Sequence, residues 1–136
     1  METTERFEKA VTKLYKAFHE GALNAYNCHA CAVGNMCDGY AKWGVNSRNR
    51  IGQITDIRCK ELSKYELSEL GRVEKIFMSY FPESHLSDNK ELQFKGLCAV
   101  VEYLCELDGI QNVMDYSSLF EYDEQGAKKE LQTVFP

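Results

Sequence analysis

The residues best suited to chemistry sit together in Cys28-His29-Ala30-Cys31-Ala32-Val33-Gly34-Asn35-Met36-Cys37. Two cysteines separated by two residues can chelate one ion, because the intervening turn brings both sulfurs to the same side. Cys37 adds a third thiolate after Gly34-Asn35, a turn signal that can fold the chain back. A structural zinc needs four ligands, and an iron–sulfur cluster usually does too. Cys59, His19 and His29 are the candidates for the fourth. His29 lies inside the two-residue spacer, where its ring tends to point away from an ion held by the flanking sulfurs. The expected ligand set is therefore Cys28, Cys31 and Cys37, completed by Cys59 or by His19 at the end of the first helix, with zinc or an iron–sulfur cluster as the cofactor.

The same residues carry two other readings. Free cysteine packs as a small hydrophobe, so these thiols also fit a metal-free interaction or regulatory module. Cys28 and Cys31 also have the spacing of a thiol redox pair. Cys98 and Cys105 stand apart from the cluster. They fall at helical spacing beside Leu97, Val101 and Leu104 and read as core. His19 also reads as a residue whose charge suits the negative end of a helix, and His85 as a surface-loop residue. There is no glycine-rich phosphate loop, no Gly-x-Ser-x-Gly and no His-Glu-x-x-His. No catalytic residue is assigned, and the chain is not read as an enzyme. Residues 82 to 89 lack the alternating acidic ligands and central glycine of a calcium loop.

The elements that must position this cluster follow from periodicity. Phe7, Val11, Leu14, Tyr15 and Phe18 form one helical stripe over residues 4 to 20, with Thr3 or Thr4 as cap and Gly21 closing it. Residues 22 to 62 keep no sustained period. They hold four cysteines, the only tryptophan (Trp43) and the turn signal Asp38-Gly39, with short helical turns expected around the cysteines. Ile51, Ile54 and Ile57, three apart, predict a short helix. Ser63-Lys64-Tyr65-Glu66 reads as a capping box opening a helix whose apolar face is Leu67, Leu70, Val73, Ile76, Phe77, Tyr80 and Phe81, stopped by Pro82. Asp88-Asn89-Lys90-Glu91 repeats that chemistry ahead of Phe94, Leu97, Cys98, Val101, Leu104 and Cys105, and Gly109 closes the element. Val113, Tyr116 and Phe120 suggest a short helix, and Ala127, Leu131, Val134 and Phe135 a last one. The expectation is an all-α fold: one domain over residues 1–136, with four or five helices and a long irregular Cys-rich segment between the first two long ones.

Composition bounds the rest. A chain of 136 residues has a one-domain length, and 44 % hydrophobic residues suffice for a packed core. The net charge of −5 argues against a nucleic-acid partner. No apolar run is long enough for a membrane span, and the first residues lack the pattern of a signal peptide. The expected compartment is the cytoplasm. The partner, whether another protein or a second copy, is left open.

Two segments carry a resemblance. Ala17-Phe18-His19-Glu20-Gly21 leading into Cys31-Ala32-Val33-Gly34-Asn35-Met36-Cys37-Asp38, and residues 96 to 107, resemble a group of small bacterial proteins that often carry the name of the flavin- and NADH-binding component of sodium-translocating NADH:quinone reductase. The resemblance spans most of the chain and implies no catalytic residues. The reductase component proper joins a membrane anchor, a ferredoxin-like domain and a flavin and NADH domain. Its cluster motif places the long spacer before the two-residue spacer, the reverse of the order here.

Overall fold

The first helix, α1 (Glu5–His19), begins where Thr4 stops being helical and its side chain accepts from the Phe7 amide at 3.3 Å. Glu5 and Glu8 sit in its first turn, where the positive end of the helix dipole favours carboxylates. Phe7, Val11, Leu14, Tyr15 and Phe18 are all buried, as their spacing predicts. Gly21 then takes a left-handed φ of 74° that lets the chain turn away.

The structure, a computed structural model, describes residues 3–27, 29–40, 54, 56–121 and 129–135. Among them are six α-helices and no strand, which makes the fold all-α. After α1 come α2 (Ala32–Met36), α3 (Ile57–Ser63), α4 (Leu67–Met78), α5 (Lys90–Asp108) and α6 (Val113–Ser117). Short 3₁₀ turns cover Ser84–Leu86, Ser118–Phe120 and Leu131–Thr133. The helix count exceeds the four or five expected because two short helices, α2 and α3, form inside the segment read as irregular. Helix α5 packs against α4, α1 and α6, while α2 bridges α1 and α4. The buried apolar residues of all six helices join one cluster.

Three local expectations are corrected. Gly34 and Asn35 do not make a turn. They lie inside α2, where the Asn35 side-chain Nδ2 donates back to the carbonyls of Ala30 (2.9 Å) and Cys31 (3.0 Å) and holds the helical turn. The reversal comes later, at Asp38 and Gly39, both with positive φ. The box at the start of α4 is made by Glu66 and Glu69, not by Ser63 and Glu66. Ser63 ends α3, its hydroxyl donating to the Cys59 carbonyl at 2.8 Å, and Lys64 adopts a left-handed φ of 70° between the helices. Ile54 precedes α3, Asp56 caps it and Ile57 is exposed, so the isoleucine spacing does not mark a helix face; Ile51 lies outside the described residues.

The cap of α5 is Asn89, whose side chain accepts from the Leu92 amide at 3.0 Å. Gly96 lets α5 approach α4 closely: a Cβ there would stand 2.9 Å from Phe77 Cδ1. Gly109 ends the helix with φ 68°. Val113, Tyr116 and Phe120 fall on α6 and the 3₁₀ turn after it. The expected last helix is only the 3₁₀ turn at Leu131–Thr133, and Ala127 lies outside the described residues.

Candidate functional site

The cysteine turn is built around Asn27. Its carbonyl accepts from the amides of Ala30 (2.9 Å) and Cys31 (2.8 Å), and its side-chain oxygen accepts from the His29 amide at 2.9 Å. The loop is closed at its far end, where His29 Nδ1 lies 2.8 Å from the Gly39 carbonyl. Lys13 of α1 reaches across to the Met36 carbonyl (3.0 Å) and the Asp38 carboxylate (2.9 Å), fixing α2 to α1. Cys28, the first of the expected ligands, and Trp43 lie outside the described residues.

Cys31, Cys37 and Cys59 are all buried, with Cys37 and Cys59 fully removed from solvent. The Cys31 sulfur accepts from the Gly34 amide at 3.3 Å and caps α2. The Cys37 thiol donates to the Cys59 carbonyl at 3.7 Å, with the Cys59 side chain beside it. Burial pushes the Cys37 thiol far up from its ordinary value, the adjacent Cys59 adding to this and the Lys13 charge partly opposing it. Burial also raises the Cys59 thiol, although the neighbouring Cys37 thiol acts the other way. In this arrangement both groups favour the protonated thiol over the metal-binding thiolate.

His19 ends α1 with Nε2 2.7 Å from the Leu119 carbonyl, and its ring packs edge-on against Tyr15 and Phe18. Among the described residues, no three His, Cys, Asp or Glu side chains gather around a point where one ion could sit. The fold thus brings Cys37 and Cys59 together, holds Cys31 nearby, and gives His19 a backbone partner on the C-terminal side of the chain. His85 is exposed and pairs with Glu83 at 3.1 Å.

Of the two cysteines read as core, Cys105 is buried and Cys98 only partly so. Cys98 Sγ lies 3.9 Å from the Ser117 carbonyl and lines an open, mostly apolar groove between α5 and α6. The groove forms only once α5, α6 and Tyr80 are packed together, and helical period alone does not reveal it. Among the described residues, no helix is long and apolar enough to cross a membrane. Comparison with protein-family models, with curated proteins and with solved structures finds no match to this chain.

Proposed function

We propose that this chain is a small helical interaction module in which Cys31, Cys37 and Cys59 act as thiols, packing and capping the segment between α1 and α4 without a bound metal. The observation that carries the reading is the Cys37 thiol, fully buried and hydrogen-bonded to the Cys59 carbonyl. A sulfur held this way closes its part of the core without an ion. The open groove beside α5 and α6 supports the interaction half of the reading.

The test is metal analysis of protein purified without chelator, joined to melting with and without EDTA. The expected result is less than about 0.2 equivalents of any transition metal and an unchanged melting temperature, because a structural metal contributes its binding free energy to folding. Stoichiometric zinc or iron, or a chelator-dependent fall in melting temperature, overturns the reading.

That outcome would favour a second reading, a zinc or iron–sulfur site on Cys28, Cys31, Cys37 and Cys59, with His19 as the other fourth ligand considered. The observation in its favour is the pairing of Cys37 with Cys59 beside Cys31. Binding there would require both thiols to lose their protons and Cys37 to release the Cys59 carbonyl.

A further inference from the structure

The groove between α5 and α6 has the build of a receptor for a helix. It is lined by Phe94, Cys98 and Ala99 of α5, by Val113 and Met114 of α6, and by Tyr80. The cavity measures about 450 Å³, within the range of roughly 300–1,000 Å³ typical of ligand clefts. The α5 positions 94, 98 and 102 follow one another on a single face, and at about 1.5 Å per residue they make a trough about 12 Å long. Met114 leaves 76 % of its surface exposed on the rim, a flexible apolar side chain of the kind that moulds to a partner.

The lining of this groove carries two carboxylates and one cation, an acidic balance. Glu102 and Glu121 line it, and neither has an ion-pair partner among the described residues. Lys95, the groove's cation, already lies 3.7 Å from Glu91. An apolar trough about two helical turns long with free carboxylates at its edge matches the helix-in-groove mode of recognition, with basic residues flanking the apolar anchors.

We propose that this groove receives an amphipathic helix of a partner protein, one that presents apolar side chains flanked by Lys or Arg. The proposal rests on the interaction-module reading. A second copy of this chain is the poorer occupant, since a net charge of −5 makes the approach of two copies at an acidic edge repulsive.

The experiment titrates the full chain into a fluorescently labelled amphipathic Leu–Lys model helix of about 18 residues, long enough to hold its own helicity. A scrambled peptide of the same composition and a Leu–Glu helix serve as comparisons. Binding of the Leu–Lys helix is expected, with the scrambled peptide at least about tenfold weaker and the Leu–Glu helix weaker still. Met114→Gln and the double variant Glu102→Gln/Glu121→Gln should each weaken binding by about fivefold, while exposed positions such as these leave the fold intact. Equal binding of the scrambled peptide, indifference to the three substitutions, or no binding at all overturns the proposal. So does concentration-dependent dimerisation of the chain that Met114→Gln abolishes, which would give the groove to a second copy. The EDTA and metal measurements do not depend on the groove, so failure here is separable from failure of the metal-free reading.

Discussion

The Cys37 thiol and the Cys59 carbonyl meet at 3.7 Å across 22 residues of chain, and the same carbonyl accepts from the Ser63 hydroxyl at 2.8 Å. One backbone oxygen in α3 thereby holds both the end of α2 and its own last turn. Cys37→Ala removes the longer of these bonds and leaves a small void in a fully buried site. A loss of about 1–2 kcal/mol is expected, read as a lower urea midpoint at constant slope. A loss above about 5 kcal/mol would instead indicate a metal ligand, for which ordinary packing has no counterpart.

Gly96→Ala tests the contact between α5 and α4. Its new Cβ would meet the Phe77 ring at 2.9 Å, and the ring is buried between helices. Overpacking of this kind costs about 1–3 kcal/mol, more than Ala gains over Gly in helix propensity. A variant as stable as the parent would mean that the Phe77 ring can move aside.

Tyr65 gives the opposite sign. Its hydroxyl is fully buried and has no hydrogen-bond partner among the described residues, while its ring lies 4.1 Å beneath the Arg6 guanidinium. Tyr65→Phe keeps the ring and removes the unpaired group. Stability should stay level or rise by up to about 1 kcal/mol, since a buried polar atom without a partner carries a desolvation penalty. Destabilisation beyond about 1 kcal/mol would show that the hydroxyl has a partner, such as an ordered water.

Asp108 should impose an acid limb on stability. Burial raises its carboxyl, but hydrogen bonds from Arg6 and Thr4, with the Arg6 charge, more than offset this and hold it below its ordinary value. The folded form therefore prefers the carboxylate. The stabilisation is fully present above the unfolded value of about 3.9 and is lost as pH falls through the folded value. Melting followed from pH 5 down to pH 2.5 should show a shallower decline in Asp108→Asn than in the parent. Parallel curves would remove Asp108 from the acid response.

Cys98 offers a chemical readout of its groove. Burial, helped by the nearby Glu121 charge, raises this thiol to about 11. Alkylation at pH 8 should be slow despite partial exposure, because the thiolate is the nucleophile, and its rate should still be climbing at pH 10. Glu121→Gln should shift that profile toward lower pH. An unshifted profile would place the carboxylate too far from the sulfur to act on it.

The long helices were legible in the sequence because period and caps agreed. In α1 the stripe from Phe7 to Phe18 lay between Thr4 and Gly21; in α5 the stripe from Phe94 to Cys105 was closed by Gly109 as expected, but its cap is Asn89, one residue past the Asp88 that opens the box pattern. The junction of α3 and α4 misled because two box patterns overlap, and the left-handed backbone at Lys64 selects the one starting at Glu66. Of the cysteines singled out by spacing, Cys37 and Cys59 meet, but spacing did not give their bonding. Whether a sulfur faces an ion or a carbonyl depends on α3 arriving beside α2, which no local pattern encodes. His19 met the Leu119 carbonyl through the packing of α1 against residues a hundred positions later, again a tertiary event.

Helix α1 meets α2 early, through Lys13, but its longest ties run to residues made much later in synthesis. Thr4 and Arg6 bond Asp108, His19 bonds the Leu119 carbonyl, and the Tyr15 hydroxyl donates to the Lys129 carbonyl, spans of 100 to 114 residues. On a ribosome, the part of α1 that α2 does not cover must therefore wait for those distant residues to emerge. A nascent chain stalled before α5 would present that part to chaperones, so commitment to the native state comes late in translation of this domain.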